Sequence, residues 1–169
     1  KDGCKTWRKN RKQKENTIDK IDKRLTLNDF KQYIDSLLPE LMYLNLYFQG
    51  EPLLNKDLPD MIRYASDKGV FTCVSTNGTA LTEDIIKCLS KSGLGRFIIC
   101  LDGATAESYS KYRIGGNFNK VINGISLSVK YGLPVEVQCL LLSTTENEID
   151  ELKSLFYDRI KAIHIQRYP

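Results

Sequence analysis

Leu44-Asn45-Leu46-Tyr47-Phe48-Gln49-Gly50-Glu51-Pro52-Leu53-Leu54 begins as a strand and ends as a turn. Apolar side chains alternate at Leu44, Leu46 and Phe48, the period-2 pattern of a strand with one buried face. Gln49-Gly50-Glu51-Pro52 then brings a flexible residue, an acid and a fixed φ in succession, which breaks the strand. A carboxylate at Glu51 is therefore expected just past the carboxyl end of a buried strand. Alone, it reads as an ordinary strand-to-helix turn with a solvated Glu, and what stands beside it decides whether it is more.

Upstream, Leu27, Phe30, Ile34, Leu37 and Leu38 recur at helical spacing, with Thr26 as N-cap and Pro39 as the stop. Downstream, a helix over 56–68 is expected to bury Leu58, Met61, Ile62 and Ala65 and to close at Gly69, followed by a strand over 70–75. Thr82 with Glu83 and Asp84 opens a helix whose buried stripe is Ile85, Ile86 and Leu89. The apolar run 97–101 reads as a strand covered on both faces and leads straight into Asp102-Gly103. A short helix over 104–111, the loop Arg113-Ile114-Gly115-Gly116, a helix over 119–130 and a strand over 135–142 follow. Thr145-Glu146-Asn147-Glu148 matches a capping box for a helix over 149–157, and 162–166 forms the last strand.

Strands and helices thus alternate at the spacing of βαβ units, and right-handed crossovers turn that alternation into an α/β fold with a parallel sheet. Strand starts are bland, preceded by Gly69, Gly93, Gly95 and Gly132. Strand ends run into Gln49-Gly50-Glu51, Ser75-Thr76-Asn77, Asp102-Gly103, Ser143-Thr144 and Gln166-Arg167. Polar chemistry therefore collects at the carboxyl ends of the strands, where barrels and open α/β sheets bind their ligands.

A length of 169 residues suits one domain with a real core, and no apolar run approaches the roughly 18 residues of a membrane span. The chain begins at Lys1 without an initiator Met, as expected of a fragment, and shows neither a signal peptide nor a membrane helix. Basic residues gather from Lys5 to Arg24, with only Trp7 as an aromatic among them, so residues 1–24 read as a solvated basic arm. Binding of nucleic acid through that arm is not expected, because stacking partners are missing. Cys4, Cys73, Cys88, Cys100 and Cys139 are odd in number and lack zinc spacing, which points to a reducing, cytoplasmic setting. Cys73, Cys100 and Cys139 lie in apolar strands and read as small buried hydrophobes.

Several chemistries fail on motif grounds. The single histidine, His164 between Ile163 and Ile165, reads as a packed or rim-facing residue, and no G-x-S-x-G elbow accompanies it. No Walker-type loop or G-x-G-x-x-G follows a strand, and Gly115-Gly116 sits between helices. The rim offers an acid at Glu51, short polar side chains at Ser75, Asn77 and Asp102, and a cation at Arg113. That set suits a zwitterion carrying a sugar. Glu51 or the carbonyls beside Gly50 would take an amino group, Arg113 a carboxylate, and the short polar side chains ribose hydroxyls.

Leu46-Tyr47-Phe48-Gln49-Gly50-Glu51-Pro52-Leu53-Leu54, Val74-Ser75-Thr76-Asn77-Gly78, Cys100-Leu101-Asp102-Gly103-Ala104-Thr105-Ala106-Glu107-Ser108-Tyr109, Tyr112-Arg113 and Phe118 resemble the successive core motifs of radical S-adenosylmethionine (radical SAM) enzymes. The resemblance is nearest to members with a C-terminal SPASM domain and covers residues 25–169, the expected core. It implies a partial (β/α)6 TIM-like barrel, here missing its first strand, that binds S-adenosylmethionine and a [4Fe-4S] cluster. The family's reductive cleavage of SAM gives a 5′-deoxyadenosyl radical that abstracts hydrogen from a substrate, here unidentified, either a small molecule or a peptide or protein. A reductant such as flavodoxin or ferredoxin is implied as partner.

Matched residue by residue, the amino-group stretch falls on Gln49, Gly50 and Glu51, with Gln49 replacing the usual Gly. Ser75 and Asn77 match pocket-lining positions, Arg113 matches the arginine that pairs with the methionine carboxylate, and Asp102 stands behind it or beside the ribose. Cys100 stands where the family usually has a Ser on that carboxylate. Cys4 resembles the last ligand of the family's C-x-x-x-C-x-x-C loop, yet its strict partner position is Lys1. Either the other cysteines lie upstream with variant spacing, or Cys4 is not a ligand; without the loop a fragment is expected to be inactive. The alternatives are a non-catalytic barrel relative acting as a scaffold and an unrelated α/β domain binding a nucleotide or phosphate.

Overall fold

The computed structural model of the chain describes residues 24–143, 145–156 and 160–167. Helix α1 (Leu27–Leu37) starts where Thr26 accepts a hydrogen bond from the Asp29 N–H, and it buries Phe30 and Ile34 one turn apart. After the short β1 (Tyr43–Asn45) and a 3-10 turn (Pro52–Leu54) come α2 (Leu58–Asp67) and β2 (Phe71–Thr76). Helix α3 (Glu83–Leu89), β3 (Arg96–Cys100), α4 (Ala106–Tyr112) and α5 (Phe118–Lys130) follow. The chain continues through β4 (Val135–Leu141), a 3-10 turn (Glu146–Glu148), α6 (Ile149–Phe156) and β5 (Ala162–Arg167).

All four strand pairings are parallel and the sheet order is β1-β2-β3-β4-β5, so each strand lies beside its predecessor. Parallel strands require crossover segments, and the intervening helices supply them. Val74, Phe97, Ile99, Val135, Val137 and Cys139 point from one face of the sheet into the main core, against Ile62, Ile85, Ile86, Leu89, Ile125 and Leu152 from the helices. A smaller cluster joins Phe30 and Ile34 of α1 to Met61 and Ala65 of α2. Because side chains alternate along a strand, Ser75, Arg96, Cys100, Glu136, Gln138 and His164 fall on the opposite face. The five-stranded α/β sheet agrees with the expected architecture and, among the described residues, is not closed into a barrel.

Two local expectations are corrected. Strand β1 stops at Asn45; one further ladder bond, Leu46 N–H to Cys73 O at 2.8 Å, carries the pairing on before the chain leaves the sheet. Phe48, expected on the buried face, is 95% exposed. The capping box expected at Thr145 does not form there. Thr145 Oγ1 accepts from the Leu142 N–H at 3.1 Å, and Glu148 reaches across to accept from the Ala104 N–H at 2.9 Å. A box does form one crossover earlier, between Thr105 and Ser108, where α4 begins.

Candidate functional site

The turn after β1 is fastened to the end of β2 through one side chain. Glu51 Oε1 accepts from its own turn at the Leu53 N–H, 3.1 Å, and from Thr76 Oγ1, 2.6 Å. Its Oε2 accepts from the Asn77 N–H at 3.0 Å. With about two acceptor directions per oxygen, only one on Oε2 stays open, so Glu51 acts chiefly as a tether. What it holds in place is the Gln49-Gly50 backbone, where Gly50 takes the left-handed φ of 82° that a side chain would disfavour. Both residues are exposed. Thr76, which sequence reasoning had not singled out, is 2% exposed and also receives the Gly78 N–H at 3.1 Å. Its one signal was its place as the last residue of β2, directly before the Asn77-Gly78 turn.

Asn77 folds back as an Asx turn, its Oδ1 accepting from the Thr79 N–H at 2.9 Å and from Thr79 Oγ1 at 2.6 Å. Its amide Nδ2 has no hydrogen bond among the described residues and is free to donate outward. The turn needs Gly78, with φ 74°, because a Cβ there would lie 2.9 Å from Val121.

On the adjoining strand ends, Ser75 Oγ lies 3.6 Å from Cys100 Sγ. Burial pushes the Cys100 thiol up, Ser75 opposes that, and the Asp102 carboxylate adds to it, so Cys100 is a neutral thiol at pH 7. The charges of Asp102, Arg113 and Glu51 all act on it.

Asp102 is 1% exposed, and its pairing explains how a buried carboxylate is tolerated. Oδ1 accepts from the Leu140 N–H on β4 at 2.8 Å, while Oδ2 accepts from Arg113 Nε at 2.6 Å and from Arg113 Nη2 at 2.5 Å. Arg113 is the residue that ends α4, and its side chain is 30% exposed. Burial pulls its guanidinium down and the Asp102 carboxylate more than offsets this, so it remains a cation. The remaining N–H groups of the fork are left for an outside acceptor, and the Tyr112 ring lies 5.3 Å from the guanidinium carbon.

Gln49, Gly50, Glu51, Ser75, Asn77, Cys100 and Asp102 therefore sit at the carboxyl ends of β1 to β3 or in the turns that follow, and Arg113, at the end of α4, joins them through its ion pair with Asp102. Cys4 lies outside the described residues. Among those described, no group of three or more His, Cys, Asp or Glu side chains is placed to hold a metal ion. No helix among them is long and apolar enough to cross a membrane.

A family model described as the Radical SAM superfamily matches residues 3–156. The chain is 29% identical over 133 residues to the AdoMet-dependent heme synthase of Methanosarcina barkeri, covering 78% of this chain and 37% of the relative. It is 41% identical over 105 residues to the probable GTP 3′,8-cyclase of Archaeoglobus fulgidus, covering 61% and 35%. The chain thus spans little more than a third of these relatives' lengths. Among solved structures, Streptococcus suis SuiB bound to S-adenosylmethionine superimposes with a TM-score of 0.72 at 13% identity, over 89% of this chain and 36% of that one. Methylornithine synthase (PylB) does so at 0.67 and 17% identity, over 86% and 45%. Both likenesses concern the fold.

Proposed function

Because the chain belongs to the radical SAM superfamily, we propose that its rim binds S-adenosylmethionine as the core of an enzyme that abstracts hydrogen from a substrate. The observation that carries this reading is that two opposite recognition groups are each anchored by a buried or half-buried carboxylate at one rim. Glu51 ties the turn that carries Gln49 and Gly50 to the end of β2, and Asp102 fixes the Arg113 fork. The carbonyls, with the open direction on Glu51 Oε2, suit an ammonium group; the free edge of Arg113 suits a carboxylate. Asn77 Nδ2 and Ser75 Oγ complete the polar lining, and Cys100 contributes a neutral surface where a hydroxyl would donate. Preorganised in this way, the groups lose little freedom when the cofactor arrives.

The described residues do not supply a ligand set for an iron–sulfur cluster. When bound and reduced, SAM supplies the hydrogen-abstracting radical; this chain's part is to grip the methionine end and fix its direction. The kinship to SPASM-type members and a flavodoxin or ferredoxin reductant belong to the same proposal. A cytoplasmic setting belongs to the same proposal; Cys73, Cys100 and Cys139 carry free thiols, whereas Cys88 is disulfide-bonded, so cysteine usage does not favour the reducing setting expected from the sequence.

Anaerobic reconstitution of the full-length protein tests the reading. SAM binding and release of 5′-deoxyadenosine under strong reductant are the expected results. Binding without release identifies a non-catalytic relative, and no binding overturns the site. Glu51→Ala is expected to weaken SAM binding at least tenfold, equivalent to about 1.4 kcal/mol, by freeing the Gln49-Gly50 turn. Unchanged affinity would remove Glu51 from the site.

A further inference from the structure

Away from the rim, on the sheet face opposite the helices, three side chains from three strands converge on one oxygen. Glu136 Oε2 on β4 accepts from Arg96 Nε at 2.8 Å and Nη2 at 2.6 Å on β3, and pairs with His164 Nε2 on β5 at 2.7 Å. Glu136 is 15% exposed, Arg96 33% and His164 48%. Arg96 Nη2 also approaches His164 Nε2 at 3.2 Å. A carboxylate oxygen only accepts, so the 2.7 Å contact makes His164 Nε2 a donor to Glu136, beside the Arg96 donors on the same oxygen. That fixes the proton of the neutral imidazole on Nε2 and leaves Nδ1 as an acceptor. Nδ1 has no partner among the described residues, on a side chain half open to the sheet face.

Charge on this face is already balanced. Arg96 is the cation beside Glu136, and the adjoining polar groups are uncharged: Tyr43, whose hydroxyl acts on Arg96, and the Gln138 and Gln166 amides, bonded to each other at 2.8 Å. Glu136 Oε1 and His164 Nδ1 both keep lone pairs without a partner among the described residues. A polyanion placed here would meet no spare positive charge among the described residues, whereas an uncharged N–H or O–H donor would meet acceptors.

We propose that His164 is a substrate-contacting residue, held by Glu136 as the Nε2–H tautomer, whose Nδ1 accepts a hydrogen bond from an uncharged N–H or O–H group of the substrate. The proposal rests on the radical SAM reading for the presence of a substrate on this face. The tautomer itself does not depend on that reading.

The test is nitrogen-15 NMR of the imidazole in the full-length reconstituted protein, with the His164 signals assigned by their loss in His164→Gln. Wild type should show Nε2 carrying the proton, and Glu136→Gln should shift the population toward the Nδ1–H form. N-methylacetamide, as the neutral donor probe, should move the Nδ1 resonance upfield saturably, and methyl phosphate at the same concentration should not. An Nδ1–H tautomer in wild type, a response to methyl phosphate alone, or no response to either probe would each overturn the proposal. SAM binding is measured on the same wild-type sample. Its absence would defeat the cofactor reading while the tautomer and probe responses are still read, so the two failures are told apart.

Discussion

The two faces of the sheet are built from alternate residues of the same strands, yet they do different work. On β3, Phe97 and Ile99 are completely buried against the helices, while Arg96 and Cys100 on the other face remain half-buried beside charged or polar partners. On β4, Val135 and Val137 belong to the core while Glu136 and Gln138 make polar pairs to β5. Alternation at period 2 therefore lets β3 and β4 carry core packing on their odd residues and polar contacts on their even ones, with the buried Ile98 as the exception on β3. A change on one face should register mainly in denaturation and a change on the other mainly in ligand binding.

The sharpest way to challenge that division is Phe97→Ala. Truncating a fully buried aromatic in the main core is expected to cost about 3–5 kcal/mol of stability, read from urea denaturation; a loss below about 1 kcal/mol would mean that this face is not the structural one. Asp102→Ala comes next, because Asp102 ties β4 to Arg113 from a buried position. Hydrogen bonds to charged groups contribute about 1.5–3 kcal/mol, and a loss of that size should come with weakened SAM binding by calorimetry. If stability falls and SAM binding does not, Arg113 is a structural cation only.

The Glu136 cluster gives a smaller effect with a defined sign. Burial pushes the Glu136 carboxyl up, but hydrogen bonds from Arg96 and His164 outweigh it, so the net shift is downward. Its ionised form then stabilises the fold fully above the unfolded Glu value of about 4.3, and that contribution is lost as pH falls through the lower folded value. Glu136→Gln should therefore narrow the stability gap between pH 7 and acid, measured as urea midpoints; an unchanged gap would detach the cluster from stability altogether. Smallest of all should be Cys100→Ser, a near-isosteric change at a half-buried rim position, expected within about 1 kcal/mol in stability. Added hydrogen-bonding capacity should tighten SAM binding modestly; weaker binding would mark the thiol as the fitted group.

The helices and the parallel sheet were legible because their signals are local. Thr26 caps α1 as its position implies, and Leu58, Met61, Ile62 and Ala65 bury as their spacing requires. What escaped was non-local. Thr145-Glu146-Asn147-Glu148 satisfies a local pattern, but Glu148 finds the Ala104 N–H, 44 residues earlier in the chain, and no window of sequence contains both. Phe48 kept the apolar alternation of β1 although the chain leaves the sheet after Leu46 while β2 runs on to Thr76, so periodicity alone overextended the strand. His164 read as packed or rim-facing for the same reason: its partner Glu136 lies on another strand, and only the register brings them together. At the rim, the residue types of Glu51 and Arg113 were readable, but the division of labour between tether and recognition group was not. It is set by which lone pairs and N–H groups the fold already occupies.

The sheet order β1-β2-β3-β4-β5, with each strand beside the one before it, also bears on how the chain acquires this structure. Every new strand docks onto an edge that has already been synthesised, so no strand must wait for a distant, later partner to be inserted between neighbours. Loop-closure entropy is then met in short instalments, and folding can proceed in the direction of translation. The exposed edge moves forward along the nascent chain, and at each stage the following βα unit is the group that covers it.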